Sequence, residues 1–282
     1  MRKHDCLLLR VGEAALKSEQ VQRKWNRILL ENIRAALKGI DYDIQINPSR
    51  FFVYTKSIKR VQNRLKRVFG ITSVSPCWVC RSELDEISRL AVDVARKIRV
   101  KKGTSFAIRT RRAGRHKFTS RAIAENAGAA VLRATKARVN LTKPKKEIFI
   151  ECRSSKTYIF TEKIPAVGGL PLGTAGKMLA IVRDKRDMVA AWLMMRRGAE
   201  LVVIGNAGKL RKWHIGKELK AYRSRKKIKE IIKKEKIIAV VSGKMPEKEV
   251  EELIKKENVL LLLPLVGWES KKINSFKRVL LH

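Results

Sequence analysis

The residue types in this chain that could do chemistry at a useful density are cations. FAIRTRRAGRHKFTSR, Phe106 to Arg121, holds Arg109, Arg111, Arg112, Arg115, Lys117 and Arg121, and Lys143, Lys145 and Lys146 follow soon after Asn140-Leu141. From Arg99 to Lys146 fifteen Lys or Arg stand against one acid, Glu125, a net of +14. A guanidinium offers a planar fork to phosphate oxygens, and clustered cations gain affinity for a nucleic acid by releasing its counterions. The chemistry is therefore recognition of a polyanion, not bond making. The competing reading is a heat-adapted, solvated surface; such surfaces balance Lys and Arg with Glu, and this stretch does not.

The remaining reactive types are sparse. Cys77 and Cys80 form CWVC, and one CxxC with no second pair or nearby His is weak for zinc. On a strand they are expected to pack, with a redox or sulfur-relay role as the sharper alternative. His116 is read as solvated, with an RNA contact as its alternative. His4, His214 and His282 have no triad or ligand spacing. No metal ligands and no catalytic residues are assigned. Trp213, among Lys209, Arg211 and Lys212, is divided between base stacking and core packing, and Trp25 and Trp192 lie on apolar helix faces and read as core.

The elements that must position these groups follow from periodicity. Cys6 to Val11 is a strand. Ser18 is placed to cap a helix whose buried face is Val21, Trp25, Ile28, Leu29, Ile33 and Leu37, closed by Gly39. Ile44 to Tyr54 gives two strands around Asn47-Pro48-Ser49, then a helix ends at Gly70, and Ile71 to Val79 is a strand. The order βαββαβ is that of a ferredoxin-like sandwich. Leu84 to Ile98 is an amphipathic helix. Phe106 and Ile108 alternate with polar neighbours as a strand, and Ala122 to Ala134 repeats at helical spacing. Val139 to Lys143 reads as extended, and Ile148 to Cys152 with Thr157 to Thr161 as a hairpin around Ser154-Ser155. PAVGGLPLGTAGK, Pro165 to Lys177, is a linker or a backbone-binding loop, a brace or an RNA contact. Beyond it, strands at Met178–Val182, Leu201–Ile204, Ile237–Val241 and Val259–Leu263 alternate with helices at Met188–Arg197, around Lys217–Lys234, at Glu247–Lys256 and near Lys271–Arg278, which predicts a doubly wound parallel sheet. Lys209 to Lys236 carries thirteen Lys or Arg against three Glu and is read largely as one wet helix face.

At 282 residues and 45% apolar content the chain is long enough for two or three domains with real cores. A net charge of +39 and a pI near 10.7 point to nucleic acid first and a membrane surface second. No apolar run approaches the roughly 18 residues of a spanning helix; Val259 to Val266 is the best and contains Pro264. The opening MRKHDCLLLRVGE reads as a first strand, not a signal peptide, and four cysteines are too few for a disulfide framework. These features suggest a cytoplasmic protein with no membrane partner.

Three blocks match one family. FAIRTRRAGRHKFTSRAIAENAG with VNLTKPKKEIFIECRSSKTYIF resembles a THUMP domain. GGLPLGTAGKMLAIV followed by VAAWLMMRRG resembles the linker and first PP-loop strand and helix of the THUMP-containing tRNA 4-thiouridine synthetases, and LLPLVGWESKKI is similar to a late strand and turn of their nucleotide domain. The resemblance covers nearly the whole chain. It implies a ferredoxin-like domain over 1–75, a THUMP domain over 76–165, and a linker plus PP-loop-like α/β domain over 166–282. It further implies that the first two grip tRNA while the third adenylates a uridine oxygen with ATP before a cysteine persulfide delivers sulfur. Arg109, Arg111, Arg112, Arg115, Lys117, Arg121, Lys143, Lys145 and Lys146 are then the RNA-facing candidates.

The sequence departs from the family where the chemistry belongs. In place of the Ser-Gly-Gly-x-Asp-Ser loop, whose backbone N–H groups would cradle phosphate, stands Arg183-Asp184-Lys185-Arg186-Asp187-Met188. Lys185, Arg186 and Asp187 are the candidate nucleotide or phosphate contacts that remain. All four cysteines lie at or before Cys152, outside the α/β region. The expectation is a degenerate nucleotide domain, no cofactor, and a tRNA-binding module serving a separate modifying or sulfur-donor enzyme. The alternative is an active sulfurtransferase using ATP in an atypical site with a partner thiol. General RNA or ribosome association is a third reading.

Overall fold

The structure, a computed structural model, describes residues 4–12, 18–47, 50–223 and 228–281. Pro48-Ser49 of the expected turn, residues 224–227 of the expected basic helix, and His282 lie outside the described residues.

Strand β1 (Cys6–Val11), helix α1 (Glu19–Ala36), β2 (Asp43–Asn47), β3 (Arg50–Tyr54), α2 (Ile58–Leu65) and β4 (Ile71–Arg81) give the expected βαββαβ order. Next come α3 (Leu84–Lys97), β5 (Ser105–Ala113), α4 (Ser120–Thr135), β6 (Arg138–Val139), β7 (Lys146–Arg153), β8 (Lys156–Phe160) and β9 (Ile164–Pro165). These strands form one nine-stranded sheet in the order β2-β3-β1-β4-β8-β7-β5-β6, with β9 on β4. The ferredoxin-like strands thus continue through β4 into the strands of the basic region. Ser18 occupies the N-cap position of α1 without a capping side-chain bond.

The chain divides into two compact units. The first comprises residues 1–9, 41–60 and 74–164, and the second 10–40, 61–73 and 165–282. In the first, period two in the strands sorts side chains to opposite faces. Phe106, Ile108, Ile148 and Ile150 pack against Ile87, Leu90, Val94 of α3 and Ile123, Ala127, Val131 of α4. Cys6, Phe52, Cys77, Tyr158 and Phe160 form a separate cluster, in which Phe52 stacks on Tyr158 at 4.0 Å. The two cysteines of CWVC therefore part company: Cys77 joins this aromatic cluster while Cys80 packs on the helix side. A strand that sends them to opposite faces cannot bring their thiols together. Thr119 Oγ1 accepts the Ala122 N–H and starts α4, and Lys136, at φ +54°, ends it in the left-handed region.

In the second unit β10 (Lys177–Val182), α5 (Lys185–Arg196), β11 (Glu200–Gly205), β12 (Ala221–Tyr222), α6 (Ile228–Glu235), β13 (Ala239–Val241), α7 (Lys248–Lys256), β14 (Leu260–Leu262) and α8 (Ser270–Leu281) follow in order. All strand pairs are parallel, in the order β12-β11-β10-β13-β14. Strands buried on both faces are continuously apolar, as Met178 to Val182 is. Ala180, Val182 and Val203 meet α5 and Ile273 of α8 on one face. Leu179, Ile181 and Val240 meet Ile231 of α6 and Ile254 of α7 on the other. This is the expected doubly wound layering.

Three expectations about the fold need correcting, those for the basic helix, Val139 to Lys143 and Trp25, and two open readings, Trp213 and the linker, gain local contacts. The basic helix around Lys217–Lys234 does not span that range: Ala221–Tyr222 is a fifth strand beside β11, and the described helix is Ile228–Glu235. Val139 to Lys143 is not extended past Val139; Asn140 Oδ1 accepts the N–H groups of Thr142 and Lys143 and closes a turn. Trp213 is 7% exposed and meets Trp192 at 5.5 Å, which places it in the core, while Trp25 is half-buried. The Gly-rich linker is a brace: Gly168 N–H donates to Ile71 O, Leu170 N–H to Arg196 O and Gly173 N–H to Gly198 O. Gly169 sits where a Cβ would lie 2.1 Å from Arg196 O, so only glycine fits. No helix among the described residues is long and apolar enough to cross a membrane.

Candidate nucleic-acid interface

The cationic platform is built on β5 and β7, which run parallel with Arg109 beside Phe149, Arg111 beside Glu151 and Arg112 beside Cys152. Alternation separates the arginines. Arg109 and Arg111 lie on the face opposite Phe106 and Ile108, while Arg112 lies on the helix-bearing face, near the strand's end. They do not form one row.

Their availability differs too. Arg109 is held: Nε donates to Glu147 at 2.8 Å and Nη2 to Leu141 O at 2.8 Å, tying the 140–143 turn to the sheet. Arg121 pairs with Glu125 at 2.7 Å one helical turn on, in the open. Arg111, Arg112, Arg115, Lys117, Lys143, Lys145 and Lys146 are all exposed. Lys145 N–H donates to Ser105 Oγ at 3.0 Å, so the three lysines stand on a backbone that is braced at both ends. Leu141 is 63% exposed among them.

His116 is not solvated. Its ring stacks on Phe118 at 5.3 Å, approaches Cys152 Sγ at 3.7 Å and bonds Ala113 O at 3.1 Å, pinning the loop that carries Arg115 and Lys117. Sequence reasoning also missed the anchor beside Arg111. Glu151, 3% exposed, accepts from Arg50 at 3.0 Å and from Arg153 at 2.6 Å. Burial pulls the Arg50 pKa down and Glu151 opposes the shift. Arg50 is 101 positions away in the chain, which is why no local pattern reveals the pair.

The second place of interest is where β10 and β13 end and the direction of winding reverses, the position at which such sheets bind ligands. Here Arg183 and Arg186 are engaged internally. Asp184 caps α5, its Oδ1 accepting from Arg186 N at 2.7 Å and Asp187 N at 3.0 Å. Arg183 grips Asp187 through Nε at 2.8 Å and Nη2 at 3.0 Å and reaches Ser242 Oγ at 2.6 Å. Gly243 N–H donates to Asp187 Oδ1 at 2.7 Å, and Arg186 Nε to Gly243 O at 2.9 Å. A Cβ on Gly243 would lie 2.8 Å from the Arg186 backbone. Burial raises the Asp187 pKa, but Arg183 and the backbone N–H groups of Arg183 and Gly243 outweigh it and hold the carboxyl below its usual range. Of the three candidate phosphate contacts, Asp187 is 1% exposed, Arg186 is turned onto backbone carbonyls, and Lys185 is exposed.

No group of three or more metal-binding side chains occurs among the described residues. Residues 81–162 match the THUMP domain model, and residues 6–75 match the ThiI ferredoxin-like domain model. A probable tRNA sulfurtransferase of Methanobrevibacter smithii is 35% identical over 206 residues, 71% of this chain and 53% of that one, so the chain spans about half the length of that curated relative. The crystal structure of PH1313 from Pyrococcus horikoshii is 30% identical, with a TM-score of 0.83 over 99% of this chain and 100% of that one. A 4-thiouridine synthetase solved as an RNA complex with bound ATP has a TM-score of 0.81 over 99% of this chain and 85% of that one; at 18% identity it shares the fold. With a ferredoxin-like domain, a THUMP domain and a parallel α/β domain in that order, the chain belongs to the THUMP-containing tRNA sulfurtransferase, or 4-thiouridine synthetase, family.

Proposed function

We infer that this chain binds tRNA through the platform of Arg111, Arg112, Arg115, Lys117, Lys143, Lys145 and Lys146, and serves tRNA modification as a non-catalytic module. Partners are tRNA and a separate modifying or sulfur-donor enzyme. The observation that carries the second half is the state of the helix N-terminus at the sheet's reversal point. An anion binds such a site through free backbone N–H groups. Here Asp184 and Asp187, two carboxylates of the chain itself, accept the N–H groups of Arg183, Arg186, Asp187 and Gly243. A triphosphate would have to displace both and then sit beside their charge, so these residues do not fit ATP.

The first half is supported by the exposure of seven cations on one braced scaffold, and by the THUMP model over 81–162. If the platform grips about six phosphates, log K falls on log salt with a slope near −5. Titration of tRNA between 50 and 400 mM salt, roughly the range over which such slopes are read, checks this; a flat response overturns it. The alternative is adenylation of uridine in an atypical site with a partner thiol, and the retained sheet order favours it. Purified protein incubated with tRNA and ATP is expected to release no pyrophosphate. Sustained, tRNA-dependent release would replace the non-catalytic reading with the catalytic one.

A further inference from the structure

A cleft of about 560 Å³ opens beside the last turn of α5, between that helix, the linker turn at Gly169 and the segment leading into α8. Ten residues separate Arg186 from Arg196, so the cleft lies roughly 15 Å along the helix axis from the crevice closed by Asp184. Its volume is in the range of ligand sites. Two features set it apart from an ordinary surface groove. Its walls include Met194, Trp268 and Phe276, with Trp268 and Phe276 in ring contact at 5.3 Å. Its charged lining is Arg196, Arg197 and Lys272, with no acid among the lining residues.

Cations in the last turn of a helix are ordinary partners of its dipole, and Arg196 and Arg197 alone would mean no more than that. Lys272 comes from a different helix and lies 4.1 Å over the Trp268 ring. The linker brings Gly169 against Arg196 with no room for a side chain, which fixes the floor. Flat aromatic surface beside three positive charges, with no acid in the described lining, is the combination that receives a planar base together with its phosphate.

We propose that this cleft holds one unstacked nucleotide of an RNA strand, its base against Trp268 and its phosphate among Arg196, Arg197 and Lys272. The proposal rests on the RNA-binding reading and extends it to the second unit. Platform and cleft then divide the work: exposed charge for the duplex backbone, and an aromatic cleft for a base that has left the stack.

The test uses the full chain and two probes, a fluorescein-labelled single-stranded RNA pentamer and a blunt RNA duplex, read by fluorescence anisotropy. Trp268→Ala and Lys272→Glu are each expected to weaken the pentamer about tenfold, the scale of losing one stacked base, while the duplex stays within about twofold of wild type. Trp268→Tyr, which keeps an aromatic face, is expected to retain the pentamer, and that rescue separates stacking from a general loss of fold. Arg111→Glu is expected to weaken the duplex. Pentamer binding unchanged in both Trp268→Ala and Lys272→Glu, with the duplex still sensitive to Arg111→Glu, overturns the cleft and leaves the platform standing. AMP binding wild-type protein as tightly as the pentamer overturns the assignment to a strand in favour of a free mononucleotide. Wild-type protein that binds neither RNA sinks the platform reading and the cleft with it.

Discussion

The platform on β5 and β7 and the crevice at the start of α5 are made from the same residue types and treat them in opposite ways. On the platform the acids are few: Glu151, beside Arg111, is buried and taken up by Arg50 and Arg153, and Glu147 holds Arg109, so that Arg111, Arg112 and the three lysines remain exposed, Arg112 also donating to the Gly114 carbonyl. At the crevice three of the four cations have an internal partner: Arg183 is bound to Asp187, Lys244 stands 3.4 Å from Asp184, and Arg186 donates to the Gly243 carbonyl, while Lys185 is exposed. Charge that is satisfied internally stabilises a fold, and charge left unsatisfied is available to a ligand. Counting arginines cannot distinguish the two; counting their partners can.

The sharpest way to break that contrast is Asp187→Asn. The carboxylate has no exposed side-chain surface and neutralises Arg183, so its loss leaves a partly buried cation uncompensated, at a cost of about 3 kcal/mol. At roughly 3 °C per kcal/mol for a unit of this size the melting midpoint should drop by about 9 °C. A shift under about 2 °C would mean that the Arg183 charge is tolerated without its partner. Glu147→Gln is the matched control on the platform. That pair is 38% and 39% exposed, and its removal should cost less than about 1 kcal/mol.

The platform should answer in binding, not stability. Replacing Arg111, Arg112 and Lys143 together by Ala removes three phosphate contacts at about 0.9 each in the log–log salt slope. The slope should become shallower by about 2.7, and affinity at about 0.15 M salt should fall on the order of a hundredfold. Lys185→Ala, at the crevice, should leave tRNA affinity within about twofold, because one exposed cation outside the cluster adds at most one unit of slope. If Lys185→Ala matched the triple variant, the crevice would have to be counted as part of the interface. A smaller effect belongs to the cap. Asp184→Ala removes two accepted N–H bonds from the start of α5 and should cost about 1 kcal/mol by thermal or denaturant unfolding. No measurable loss would mean that water or a solute anion replaces the carboxylate, and hence that the helix end is accessible.

Much of this was legible from residue order. Alternating Phe106 and Ile108 and the apolar runs of β10 and β11 each carry their meaning locally. What could not be read was fixed by distance in the chain. Arg50 finds Glu151 only after folding; Ala221-Tyr222 is a strand because β11 offers an edge, although its own basic context suggested helix. Trp213 sits among lysines in sequence and among Phe69 and Trp192 in space. Strand parity was available from the outset and would have divided Arg111 from Arg112, and Cys77 from Cys80. Side-chain partners, which decide whether Arg109 is a ligand or a clasp, are set only by the folded chain.

The contrast also reaches pH. The second unit contains a buried histidine whose bonding sets its protonation. His214 is 4% exposed, its Nε2 accepts the Leu201 N–H at 3.1 Å and its Nδ1 lies 3.0 Å from the Lys217 carbonyl. Both bonds are met by one neutral tautomer, with the proton on Nδ1. Burial, with Lys217 nearby and opposed by Glu200, holds its pKa below the usual 6.5. A proton added at Nε2 would face an N–H donor. The unfolded chain therefore takes up that proton first, and stability is full above about pH 6.5 and declines as the pH falls below it. His4, lowered by its own burial and by Lys97, acts with the same sign in the first unit. The melting midpoint should be level with respect to these groups from about pH 7 to 8 and fall toward pH 5, and His214→Gln should make that decline shallower. A His214→Gln curve parallel to wild type over the same window would mean that the imidazole is protonated in the folded protein, against the bonding its two nitrogens display.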